Sequence, residues 1–225
     1  LLISGWRELV YMVSDADSGV YISSAVSEGF APQDESTQWI PWAVEYVDLD
    51  NSGVEEGLVT YGHGELFSEI PTPVEQADAL FVRTDSTVSD EGSQWGFGDQ
   101  TSGRGMTVAD LNRDGHPDVI RRPVFDVATI DMPRCTGAAW TVIEPRQSTG
   151  NKRAIGARVQ VESADQQWVR WVRAGGTGLS GGGPPEVHIG LGSIERIERL
   201  RIQWPDGVET VHTDLPTHHR LVITR

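Results

Sequence analysis

The stretch Met106-Thr107-Val108-Ala109-Asp110-Leu111-Asn112-Arg113-Asp114-Gly115-His116-Pro117-Asp118-Val119-Ile120-Arg121 opens and closes on apolar and β-branched residues around an acidic, glycine-containing centre. That composition predicts a strand, a tight turn and a second strand. Asp110, Asn112, Asp114 and Asp118 place oxygen-bearing side chains at loop positions 1, 3, 5 and 9. Calcium is a hard cation that takes roughly six to eight oxygen ligands, and alternating residues of a tight loop can aim at one centre. Gly115 permits the sharp turn, and a backbone carbonyl near His116 can add a ligand. Flanking strands and the lack of a distant bidentate Glu separate the loop from an EF-hand. A second reading is a turn whose Asp and Asn side chains cap its own amides. The residues leave both readings open.

The same pattern occurs earlier. Tyr46-Val47-Asp48-Leu49-Asp50-Asn51-Ser52-Gly53 parallels Val108-Ala109-Asp110-Leu111-Asn112-Arg113-Asp114-Gly115. Its donors are Asp48, Asp50, Ser52 and Glu56, a weaker set because Ser52 is neutral and Glu56 is longer than Asp. Strands 42–47 and 58–61 flank this loop, as 106–109 and 119–121 flank the other. A repeat spaced by roughly 60 residues points to β-propeller blades, which typically number four or more in a closed ring. Residues 1–146 hold two or three, so a partial propeller is expected there, with the remainder elsewhere in a longer protein. Segments 9–13 and 19–26 read as a hairpin with Asp15 and Asp17 in its turn. Segment 75–82 is the best helical candidate.

The pattern changes after residues 147–152. Segments 158–162, 168–173, 187–189, 200–204, 209–212 and 221–224 read as short strands separated by turn residues. Regular short strands predict a small β-sandwich-like domain over 151–225. The expected fold class is therefore all-β.

Charge divides the chain in the same place. The formal net charge is −15; residues 1–150 hold 25 acids against 8 bases, and 151–225 hold 8 acids against 10 bases. The acidic part would be repelled by phosphate backbones, which argues against nucleic acid as a partner. Clustered carboxylates suit divalent cations. No apolar run approaches the roughly 20 residues of a membrane span, so membrane insertion is not expected. Cys135 is the single cysteine, which leaves no intrachain disulfide and no cysteine-based zinc site. The opening residues, Leu1 to Arg7, have neither an initiator Met nor the features of a signal peptide, as expected for a piece of a longer or processed chain.

Other candidates carry less. Gly178-Leu179-Ser180-Gly181-Gly182 matches G-x-S-x-G, but glycines flank Ser180, and Pro184-Pro185 blocks the helix a nucleophile elbow requires. His212, His218 and His219 have no partners at metal-ligand spacing. His188 alternates with apolar neighbours and reads as packed in a strand. Trp168, Arg170, Trp171 and Arg173 suit strand packing or a stacking platform for sugars.

The loops at Asp48 and Asp110 resemble the calcium loops of FG-GAP/VCBS repeats. Ile155-Gly156-Ala157-Arg158-Val159, Val187-His188-Ile189-Gly190-Leu191-Gly192 and Ile202-Gln203-Trp204-Pro205-Asp206-Gly207 resemble the ASPIC/UnbV domain that follows such repeats in proteins similar to cartilage acidic protein. The resemblance implies a propeller with Ca2+ in its loops and a secreted, periplasmic or cell-surface setting. It also implies adhesion or recognition of a protein or carbohydrate ligand. Ser52 and Glu56 depart from the Asp or Asn usual there. The reading favours a binding module over an enzyme. The alternative is an enzyme or accessory subunit of secondary-metabolite biosynthesis, as for UnbV members.

Overall fold

The computed structural model describes residues 2–5, 8–14, 20–23, 25, 29–30, 39–63, 74–84, 87–133, 136–175 and 181–225. Its regular secondary structure is almost entirely strand. Strands β1 (Leu2–Gly5), β2 (Glu8–Ser14) and β3 (Tyr21–Ser23) form an antiparallel sheet in that order. Next come β4 (Pro41–Val47), β5 (Glu56–Tyr61), β6 (Gln76–Ala77), β7 (Ala79–Arg83) and β8 (Val88–Asp90). β4, β5, β7 and β8 make a four-stranded meander, while β6 pairs with β9 (Gln100–Thr101). A single helical turn, α1 (Gly92–Trp95), precedes β9. β10 (Gly105–Ala109), β11 (Asp118–Arg122) and β12 (Thr129–Asp131) close the N-terminal half with the third of its larger antiparallel sheets, the two-stranded β6–β9 aside.

The meander is buried on both faces, which explains its nearly continuous apolar strands. Val44, Val59, Tyr61, Ala79 and Phe81 pack toward Leu2 and Phe30 on the side of the first sheet. Ala43, Leu58 and Leu80 alternate with them and pack toward Met106 and Val119 of the third sheet. The three sheets are thus stacked face to face in chain order. Segment 75–82, the helical candidate, is instead β6 and β7. Its apolar residues at 79, 80 and 81 serve two opposite cores, a demand that a two-residue period meets and a helical stripe does not. The expected 9–13 and 19–26 hairpin appears as the pairing of β2 with β3, while Asp15 and Asp17 lie outside the described residues.

One buried ionic cluster ties the second and third sheets together. Arg121 on β11 donates to Asp78 at 2.9 Å, Asp99 at 3.0 Å and Asp131 at 2.7 Å. It also donates to the Phe97 carbonyl and lies over the Phe97 ring. Asp78 in turn accepts the Tyr61 amide, so neither buried charge is left uncompensated.

The C-terminal half contains β13 (Ala139–Arg146), β14 (Arg158–Ser163), β15 (Gln166–Trp171), β16 (Val187–Gly192), β17 (Arg196–Gln203), β18 (Glu209–Pro216) and β19 (His219–Thr224). The sheet β16-β13-β19 packs on the sheet β15-β14-β17-β18 around Ile143, Val161, Trp168, Ile189, Leu200 and Trp204. All six strands expected in 151–225 are present. The expected division near 146–152 nevertheless cuts behind β13, which is the central strand of the first of these sheets. β13 is antiparallel to β16 and parallel to β19, so the hydrogen-bonded unit begins at Ala139. Its buried residues Val142 and Ile143 are fully enclosed.

A protein beginning at residue 147 would leave β16 and β19 facing an empty central position. A 137–225 fragment is expected to unfold cooperatively in urea, and a 147–225 fragment to aggregate or show no cooperative transition. Equal stability of the two would remove β13 from the domain.

Candidate metal centre

The two acidic loops superpose in chemistry, position by position. In the first, the Gly53 amide donates to Asp48 Oδ2 (2.8 Å), Ser52 to Asp50 Oδ1 (2.9 Å), Val54 to Ser52 Oγ (3.3 Å) and Leu49 to Glu56 Oε2 (2.9 Å). In the second, Gly115 donates to Asp110 Oδ2 (3.2 Å), Asp114 to Asn112 Oδ1 (3.0 Å), His116 to Asp114 Oδ1 (2.8 Å) and Leu111 to Asp118 Oδ2 (2.8 Å). Asn51 (φ 61°) matches Arg113 (φ 63°), and Gly53 (φ 93°) matches Gly115 (φ 86°). The hairpins also share one register, with Val47 opposite Glu56 and Ala109 opposite Asp118.

Position 1 of each loop keeps one oxygen without a donor. Asp48 Oδ1 and Asp110 Oδ1 are both buried and accept no hydrogen bond among the described residues. A carboxylate oxygen withdrawn from water without a partner is costly, and here the same atom is orphaned twice. In the first loop, carboxylate oxygens of Asp48, Asp50 and Glu56 lie within 4.8 Å of one another. Ligands held at about 2.3–2.6 Å from one calcium-sized ion are at most about 5 Å apart, so this donor set fits a hard divalent cation. Burial pushes the Asp48 carboxyl up to about 7 and the Glu56 carboxyl up to about 8, with the neighbouring Asp50 charge adding to both.

The second loop carries its donors differently. Asp110 and Asp118 are tucked inward, while Asn112 and Asp114 are exposed, and the Asn112 amide donates to Asp114 Oδ2. Burial raises the Asp118 carboxyl as well. Arg220 of β19 reaches Asp110 Oδ2 at 3.4 Å and places a guanidinium against this loop. Of the two loops, the one with the weaker donor set by composition is the one that gathers three carboxylates.

Both loops are seated on the C-terminal sheets. Asn51, fully buried, donates through Nδ2 to the Gly115 carbonyl (3.1 Å) and lies 3.2 Å from His116 Nδ1, joining one loop to the other. Its carbonyl accepts the amide of Gly192 at the end of β16 (2.8 Å). Trp168 Nε1 donates to the Gly53 carbonyl, Thr136 Oγ1 to the Asp50 carbonyl and His188 Nε2 to the Gly115 carbonyl. Burial pushes the His188 imidazole down to about 4, consistent with a neutral ring in this seam. Two close approaches fix the fit. A Cβ on Gly190 would lie 2.0 Å from Asp48 Oδ2 and 2.5 Å from Asn51 Cα; one on Gly115 would lie 1.8 Å from the Trp140 ring.

Trp140 and Arg220 carry no signal in the sequence, and Asn51 and Gly190 stand in motifs that assign them no role in this seam. The only local signal is Asn51, a residue type that tolerates the left-handed backbone its position requires. His212, His218 and His219 do not form a metal-binding group among the described residues; His218 packs edge-on to Trp140 instead. Trp168 is buried in the seam, and Trp171 is half exposed. Ser180 and Cys135 lie outside the described residues.

The chain is thus an all-β protein in which three stacked sheets dock, through two acidic loops, on a two-sheet C-terminal unit. Residues 147–225 of that unit match the family model described as ASPIC and UnbV. No curated protein matches the chain.

The glycine contacts give a direct test of the seam. Gly190→Ala is expected to drive the first loop away from β16 and to make 48–56 sensitive to limited proteolysis. The C-terminal core keeps its fold, because Ile189 and Leu191 alternate with Gly190 and point to the opposite face of β16. Unchanged cleavage would mean that the loop does not depend on β16.

Proposed function

We propose that the chain is a calcium-stabilised, extracellular binding module of FG-GAP/VCBS type that recognises a protein or glycan. The observation that supports this best is the paired orphan oxygen, Asp48 Oδ1 and Asp110 Oδ1, at position 1 of two loops with matching hydrogen bonds. In this reading Asp48, Asp50 and Glu56, with Ser52 at the rim, hold one Ca2+. Asp110, Asn112, Asp114 and Asp118 hold a second, with Arg220 sharing the charge of Asp110. The cation removes repulsion among buried carboxylates and stiffens the surface that the C-terminal unit rests on; it activates no water. Calcium bound with a Kd of roughly 0.1–1 mM matches extracellular modules. This agrees with a secreted, periplasmic or cell-surface location, and with a propeller whose other blades lie outside these residues.

Thermal unfolding in chelator and then in millimolar calcium tests the reading. At free calcium about 100 times the Kd, binding adds about 2.7 kcal/mol of stability. Asp48→Asn is expected to lose most of that gain, and Asp114→Ala part of it, while Asp48→Asn unfolds no lower than the parent in chelator because it removes a buried charge. A calcium gain untouched by either variant would place the ion elsewhere.

The pH dependence follows from the raised carboxyls. Their unfolded values are about 4, so between roughly pH 4 and 8 the folded state holds more protons than the unfolded state. Their contribution to stability is full below pH 4 and is lost as pH rises through 7 and 8. In chelator the melting temperature is expected to fall from pH 5 to pH 8.5. Calcium displaces those protons, so its stabilising increment should grow over the same range. An increment independent of pH would exclude Asp48 and Glu56 as ligands.

A further inference from the structure

A cleft of about 400 Å3 lies beside the loops, walled by β4 and β10 on one side and by β15 and β16 on the other. Each of these four strands is the edge of its sheet. The edge of β16 is occupied where the Gly192 amide meets the Asn51 carbonyl. Among the described residues the edge of β15 has no strand partner. Val172 donates its amide to Ala157, so in the antiparallel ladder of β14 and β15 the Trp171–Arg158 and Val169–Gln160 pairs are the non-bonded ones. The amides of Val169 and Trp171 therefore point away from β14, toward the cleft. The Val169 carbonyl is taken by the Arg170 side chain; both amides and the Trp171 carbonyl have no partner among the described residues.

The side chains along this edge supply the rest of a recognition surface. Trp171 is 52% exposed. Arg173, two residues further along the same face, is exposed and makes no ion pair among the described residues. Of the other charged side chains lining the cleft, Arg170 pairs with Glu55 at 2.9 Å and Glu186 with Arg220, while Glu45 and Asp48 belong to the opposite wall, on β4 and directly after it. Arg173 is thus the cationic side chain of the β15–β16 wall without an ion pair among the described residues.

We propose that this cleft binds an extended acidic peptide segment of a partner protein as a strand added to β15, with a carboxylate on Arg173 and an apolar side chain on Trp171. This rests on the reading of the chain as a binding module and names its ligand class. Strand addition draws affinity from main-chain hydrogen bonds and selectivity from alternate side chains. The free amides repeat at the two-residue spacing of a strand, roughly 6.6–6.8 Å, which a peptide backbone matches and a saccharide does not. The cleft volume falls in the range of ligand sites, roughly 300–1,000 Å3.

The test is selection of a random heptapeptide display library on the whole chain in millimolar calcium, followed by titration calorimetry with the enriched peptides. Acidic peptides are expected. Arg173→Gln should weaken them about tenfold without changing the melting temperature, and Trp171→Ala should weaken them further. N-methylation of alternate peptide amides should abolish binding in one parity and spare it in the other. No enrichment, full affinity for Arg173→Gln, or tolerance of N-methylation in both parities would overturn the proposal. A hexuronate oligosaccharide that binds in place of any peptide, and is lost in Arg173→Gln, would overturn it in favour of an acidic glycan. The calcium melting shift is read separately. A shift without peptide capture removes only the strand-addition site, and capture without a shift supports that site while the calcium reading fails.

Discussion

The seating of two acidic loops on the edge of β16 is the contact on which the rest of the molecule depends. Gly190 lets Asp48 and Asn51 approach the strand more closely than any side chain would allow, and Gly115 does the same at Trp140. Asn51 then binds both ways, to the sister loop and to Gly192. Backbone carbonyls of the loops accept hydrogen bonds from Trp168, Thr136 and His188. The two halves are therefore joined mainly by main-chain groups of the loops, whose positions are set by the carboxylates inside them.

This arrangement gives the carboxylates a role that a surface turn would not have. A surface Asp turn is solvated and its charge is cheap. Here Asp48, Glu56 and Asp118 are buried beneath a neighbouring unit, and burial raises each carboxyl. The strain is electrostatic and concentrated where a cation would relieve it. A bound ion and a docked C-terminal unit would then support each other, because both require the same loop conformation.

The cleft is a consequence of the same docking. Its walls come from both halves, and neither half alone presents β15 opposite β4. Glu55, next to the loop donor Glu56, pairs with Arg170 on the opposite wall and links the geometry of the loop to that of the cleft.

Much of the architecture was legible in the residues. The all-β class, the six C-terminal strands, the repeated hairpin and both oxygen-rich loops follow from local signals: period-two apolar patterns, Asp and Asn at alternate loop positions, glycine at the left-handed turn. Segment 75–82 was not legible, since an apolar run serving two cores looks the same to a helix and a strand until its neighbours are known. Nor was β13, which is distant in sequence from β16 and β19 and is joined to them only by pairing. Composition favoured the second loop, whereas convergence of carboxylates belongs to the first, because Asp50 supplies a carboxylate at the position where the second loop has Asn112, and Asp114 is exposed. The sequence by itself determined which residues could form strands, turns and oxygen ligands. The tertiary structure alone decided which carboxylates are buried together, because burial comes from Gly190, Trp140 and Trp168, contributed by strands far along the chain.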